Sequence, residues 1–130
     1  MKKMMLLVFL ATFAAVLFTG CTTVQEAKRF NGMPLDNGAN PAVHTNVKIT
    51  GYYFLGFVPI VSGSVGDTGK IAFFKDTVTV DHAVRVLTRY SRGAGALEIR
   101  NINSTSGYLP IIPFLLNYCY VEVNGTGVNK

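Results

Sequence analysis

The pattern of apolar and polar positions divides the chain into an uncharged N-terminal run, a stretch with no period, and a longer region in which strand and helix periods succeed one another. That region opens with "NVKITGYYFLGFVPIVSG", rich in β-branched and aromatic residues and interrupted by Gly51, Gly56 and Pro59. It predicts a strand over residues 47–55, the glycines marking a bulge or a close backbone approach. "SGSVGDTGK" predicts a loop, and residues 71–74 a short strand. In "TVDHAVRVLTRYSRG", Val80, Ala83, Val84, Leu87 and Tyr90 fall at helical spacing, with Asp81, His82, Arg85, Thr88, Arg89 and Arg92 on the remaining positions. Thr79 is the expected N-cap, Asp81 and the late arginines suit the two ends of the helix dipole, and Gly93 is the expected left-handed stop. "GALEIRNI" sets Leu97 and Ile99 against Glu98 and Arg100, and "NYCYVEVNG" sets Cys119, Val121 and Val123 against Tyr118, Tyr120 and Glu122, both the period of a half-buried strand. The prolines of the intervening "STSGYLPIIPFLL" exclude a regular central strand. The expected fold class is α+β: a small antiparallel sheet with one packed helix, in the order strand, short strand, helix, strand, strand.

The N-terminal run changes the picture. Lys2 and Lys3 precede an uncharged segment from Met4 to Gly20, which gives way to Cys21 and the polar "TTVQEAKR". A basic start, an apolar centre and small residues before a break are the layout of an export signal. A spanning helix needs about 20 apolar residues, more than this run supplies. The tetrapeptide "FTGC" (Phe18, Thr19, Gly20, Cys21) resembles the lipobox of bacterial lipoproteins, with Phe18 where the family usually has Leu. The resemblance implies a signal peptide over residues 1–20, cleavage after Gly20, a diacylglycerol thioether on the Cys21 sulfur and a palmitate-type acyl group on its new amino group. Two or more chains, at about 0.8 kcal/mol per buried CH₂, give stable anchoring where a single chain does not. The expected location is the bacterial cell envelope. Thr22 follows the anchor where an Asp holds some lipoproteins on the inner membrane, so the outer membrane is favoured. Residues 21–45, with two prolines, repeated Asn and Gly and little hydrophobic period, are expected to be a flexible tether that keeps the domain clear of the headgroups. Residues 46–130 are expected to form a single domain.

Composition then bounds the partners. Removing residues 1–20 leaves 110 of 130 residues, one small domain's worth, and lowers the formal charge from +5 to +3 because Lys2 and Lys3 go with them. The remaining basic residues are scattered, and nucleic acid is not an expected partner.

Candidate chemistry is sparse. "SGSVGDTGK" fails as a phosphate loop, with Ser64 where the first glycine belongs and Ile71 after Lys70 where Ser or Thr would hold magnesium. His44 and His82 lack the local partners a metal site needs, and no metal or cofactor is expected. A thiol hydrolase built on Cys119 and His82 would need the fold to join them and expose the sulfur. Cys119, in phase with Val121 and Val123, is instead expected to be a small buried hydrophobe. No catalytic residue is assigned. "NST" at 103 and "NGT" at 124 match a glycosylation sequon that a bacterial lipoprotein does not generally use. The uncharged "YLPIIPFLL", with Leu109, Ile111, Ile112, Phe114 and Leu115, has two readings: a flap over the sheet edge packed on "FLGFVPIV", or an exposed apolar lip for a membrane or an envelope protein partner. These two segments also echo each other loosely, sharing Gly-Tyr and a Pro-Ile or Ile-Pro step.

"LGFVPIVSG", "LTRYSRGAGALEI" and "NYCYVEVNGTGV" together resemble the TRL-like group of small bacterial lipoproteins, over most of residues 50–128. That group carries no assigned activity, so the resemblance implies an anchor and a fold and no catalytic residues. The functional expectation is a non-enzymatic envelope lipoprotein in structure, sensing or protein contact. The alternatives are a small-ligand or metal carrier using the groove between helix and loops, and the Cys119 hydrolase.

Overall fold

The computed structural model describes residues 2–17, 21–30, 33–34 and 43–129. The elements in chain order are α1 (Lys2–Leu17), β1 (Thr22–Ala27), β2 (Arg29–Phe30), β3 (Met33–Pro34), β4 (Val43–Phe54), β5 (Val58–Gly63), β6 (Ile71–Phe73), α2 (Val80–Gly93), β7 (Glu98–Ile112) and β8 (Leu116–Val128). Six strands form one antiparallel sheet in the order β6-β5-β4-β8-β7, with β1 also paired to β4, while β2 and β3 pair with each other. This is the expected α+β architecture with one packed helix, α2, on one face of the sheet.

The alternation read in the last strand sets the core. Val121 and Val123 of β8 lie opposite Ile49 and Val47 of β4, and these four pack with Ala83, Val86 and Leu87 of α2. Each such large side chain contributes about 1.5–3 kcal/mol by leaving water. Thr79 caps α2 as its sequence position suggests, its Oγ1 accepting from the His82 N–H at 3.3 Å. The buried helix face is Ala83, Val86, Leu87 and Ser91, a step round from the expected stripe, and Val80 is left exposed. Ser91 is tolerated there because its hydroxyl donates to Thr45 Oγ1 at 3.2 Å. The helix also runs through Gly93; the left-handed residue is Gly95, at φ +94°.

Two stretches expected to be irregular are strands. β7 extends through Pro110 to Ile112, which is possible because β7 is an edge strand and an edge N–H need not be supplied. The tether expected over residues 21–45 is corrected at both ends: residues 22–27 are β1, paired from Thr22↔Ile49 to Ala27↔His44, and residues 43–45 begin β4. β1 has almost no hydrophobic signal because only Thr22 is buried and only Val24 half-buried, and its pairing rests on the backbone ladder. Residues 31–32 and 35–42 of that expected tether lie outside the described residues.

β8 occupies one edge of β4 along its whole length, so β1 and β5 share the other edge end to end. Their junction is tight: a Cβ added at Gly63 would lie 2.6 Å from the Thr22 nitrogen and 2.7 Å from the Cys21 carbonyl carbon. Gly63→Ala is expected to force β1 from its place and cost about 1–3 kcal/mol, the usual range for overpacking. Gly93→Ala, where an added methyl meets nothing within 4 Å and the residue is helical, is expected to be neutral or slightly stabilising. Urea midpoints of the two variants check the contrast.

Candidate functional site

Strand direction places five chain segments at one end of the sheet. β4 and β5 meet there in the turn 54–57, closed by Phe57 N–H to the Phe54 carbonyl at 3.3 Å. β7 and β8 meet there in the turn 112–115, closed by Leu115 N–H to the Ile112 carbonyl at 3.0 Å. Leu55 N–H donates to the Leu115 carbonyl at 3.0 Å, tying the two hairpin tips together. Phe73 and Phe74 close the row, Phe74 N–H donating to Ile60 of β5 at 3.2 Å. The loose echo between the two apolar segments is thus two neighbouring hairpins.

The rim these segments make is apolar and uncharged over residues 54–58, 73–74 and 108–116, with Leu116 buried beneath its exposed side chains. Phe114 is 91% exposed, Phe74 76% and Phe57 72%. Leu109, Ile111, Ile112 and Leu115, singled out from sequence, are exposed too and do not pack away as the flap reading requires. From sequence, Phe54, Leu55 and Phe57 are read only as the packing partner of that flap, with the echo as a further signal, and Phe74, outside the echo, is missed. A contiguous apolar patch of this kind is what sites of protein or membrane contact present.

Backbone strain is concentrated in the same place. Among the described residues, the non-glycine residues at positive φ are Leu55 (53°), Phe74 (54°), Asn101 (54°) and Phe114 (63°). Asn tolerates that region, whereas bulky residues there are outliers. Leu55 and Gly56 take successive positive φ values in the first tip, as a type I′ turn requires, and Phe114 follows Pro113 in the second, where glycine is the usual choice. Each strained residue costs of order 1–3 kcal/mol. The fold accepts that cost where it displays a large apolar side chain.

Behind the rim, the sheet face away from α2 changes character step by step along the β4–β8 register. Phe54↔Leu116 is followed by Tyr52↔Tyr118, Thr50↔Tyr120, Lys48↔Glu122, Asn46↔Asn124 and His44↔Thr126. The Tyr52 and Tyr118 ring centroids lie 5.4 Å apart, those of Tyr118 and Tyr120 6.4 Å, and Lys48 Nζ sits 5.3 Å from the Tyr120 ring. Asn46 donates to Glu122 Oε1 at 2.8 Å beside a polar notch of about 220 Å³ that also touches Thr23, Gln25 and Lys48.

Cys21 enters the sheet at the Thr50 level. Its N–H donates to Thr50 Oγ1 at 3.1 Å, and its carbonyl accepts from Thr50 N–H at 3.3 Å and Oγ1 at 3.2 Å. Thr22 Oγ1 donates to the Ser64 carbonyl at 2.7 Å, and Gly69 N–H to the Thr22 carbonyl at 3.2 Å. Cys21 is half-buried. Phe18, Thr19 and Gly20 lie outside the described residues. The side chains of Met4 to Leu10 in α1 are exposed, and among the described residues no helix is long and apolar enough to cross a membrane.

The other sequence candidates do not converge. Cys119 is half-buried rather than buried, and burial, with a smaller effect from the Asp76 charge, pushes its thiol above the ordinary range, the opposite of an activated thiolate. His82 Nδ1 is 2.9 Å from Thr79 Oγ1 and lines an open groove of about 510 Å³ with Lys75, Asp76 and Thr77, without Cys119. Among the described residues no three His, Cys, Asp or Glu side chains group as metal ligands would. The groove's Asp76 accepts from the Tyr53 hydroxyl at 2.6 Å. Comparison of the chain with protein-family models, with curated proteins and with solved structures returns no match.

Burial, helped by the bond to Asp76, raises the Tyr53 hydroxyl pKa above its ordinary value. Up to about pH 10 the phenol is neutral folded and unfolded, and the bond stabilises fully; above that the unfolded chain loses its proton first and stability falls. Tyr53→Phe is expected to cost about 1–2 kcal/mol at pH 7. The gap from wild type is expected to narrow above about pH 10. Urea unfolding of both proteins at neutral and alkaline pH checks this; a gap that does not change with pH contradicts it.

Proposed function

We propose that the chain is a bacterial envelope lipoprotein of the TRL-like kind, anchored by lipid on Cys21, favoured for the outer membrane, and serving as a non-enzymatic structural, sensing or contact element. The observation that carries the reading is the placement of "FTGC" at the end of an uncharged run behind Lys2 and Lys3. The fold supports it in a chemical detail. N-acylation converts the amino group freed by cleavage back to an amide, so Cys21 keeps one N–H for Thr50 Oγ1, and the sheet accepts the processed residue as readily as the unprocessed one. Cys119, with its thiol held protonated, is left as a structural residue.

Growth of expressing cells with a clickable palmitate analogue tests the anchor. Wild type and Cys119→Ser are expected to incorporate label and partition with membranes, and Cys21→Ser to lose both. Equal labelling of the Cys21→Ser protein would sink the proposal.

A further inference from the structure

We propose that the domain docks on the bilayer rim-first, with the tips of the β4–β5 and β7–β8 hairpins inserted in the same leaflet that holds Cys21. This rests on the anchoring reading above.

Three independent observations point to lipid as the occupant of the rim. The first is where the chain meets the membrane. Cys21 is hydrogen-bonded directly into the sheet, with no tether between the anchor and the domain, so the domain sits at the surface. β1 runs from Cys21 away from the rim, which puts the anchor toward the rim end of the sheet. Four residues separate Thr50 from Phe54, about 13 Å of strand. A tilted sheet then carries the tips into the 5–10 Å zone below the headgroups that interfacial apolar faces occupy.

The second is the order of side chains along the strand axis. Leu and Phe at the tips give way to the Tyr52, Tyr118 and Tyr120 group and then to Lys48, Glu122 and Asn46. That is the sequence of environments across a bilayer interface: hydrocarbon, the aromatic belt at headgroup depth, and water. Cys21 lies at the tyrosine level, the depth a lipid's glycerol takes.

The third is polarity between the two ends. The far end of the sheet carries Glu98 and Arg100, paired at 3.1 Å, on β7 and Glu26 on β1, while residues 54–58, 73–74 and 108–116 of the rim carry no charge and Lys75 and Asp76 follow at its border. The strained Leu55, Phe74 and Phe114 point to the same use, because each holds a large apolar side chain exposed at a conformational cost.

The chain contains no tryptophan, which makes single-tryptophan probes clean. The full-length protein, extracted from membranes with its lipid, is reconstituted in phosphatidylethanolamine–phosphatidylglycerol vesicles with and without brominated acyl chains. Phe114→Trp and Phe57→Trp replace exposed rim residues, and Leu97→Trp replaces an exposed residue at the far end. Rim-first docking predicts blue-shifted emission that loses most of its intensity to brominated chains at positions 114 and 57, and unshifted, unquenched emission at 97. Intact mass on the same samples reads the lipid. No acyl mass on Cys21 overturns the anchoring reading and the docking with it. Lipid present with unquenched rim probes overturns the docking alone, and is the result if the rim serves a protein partner. Equal quenching at all three positions overturns the rim-first orientation.

Discussion

The hydrogen bonds that lock Cys21 and Thr22 to Thr50, Ser64 and Gly69 decide how every other feature is oriented. They seat β1 on the edge of β4 that β5 leaves free. Without them, the apolar rim and Cys21 would be unrelated parts of the molecule. With them, the rim is held at a fixed register from Cys21, the proposed site of the lipid. The junction tolerates no side chain at position 63, so glycine there is a condition for the arrangement.

The fold is amphipathic along its strands and not only across its faces. Across the sheet the division is the ordinary one, with Val47, Ile49, Val121 and Val123 under α2 and polar residues opposite. Along the strands the division is between an uncharged end and a charged one. The strain at Leu55, Phe74 and Phe114, of order 1–3 kcal/mol each, is a sizeable share of the 5–15 kcal/mol that keeps a domain folded. The burial in the α2 core offsets it. Glycine at these positions would relieve the strain at the loss of the displayed side chain.

The legible parts of the sequence were those where burial imposes a period. Cys119, Val121 and Val123 announced β8, and Thr79 announced the start of α2, because alternation and capping are local requirements. β1 was illegible because an edge strand with one buried side chain, Thr22, has almost no period to show. Pro110 argued against a strand that exists because edge position cannot be read locally. Ser91 hid the true helix face, since only Thr45, 46 residues away, makes its burial acceptable. At the site, Cys21 could be picked out by its flanks, and Leu109, Ile111, Ile112, Phe114 and Leu115 by their lack of charge. That these lie in one structure with Phe57 and Phe74, a few residues of strand from Cys21, is a fact of register that no local pattern carries.

The claim that Cys21 enters the sheet directly, with β1 as a true strand and no tether, is open to one decisive reading: amide hydrogen exchange of the peptide spanning residues 21–27 in the folded protein. The structure predicts protection approaching that of the β4 residues 44–49 with which it pairs. Exchange of that peptide at the rate of an unstructured chain, with β4 still protected, would contradict it.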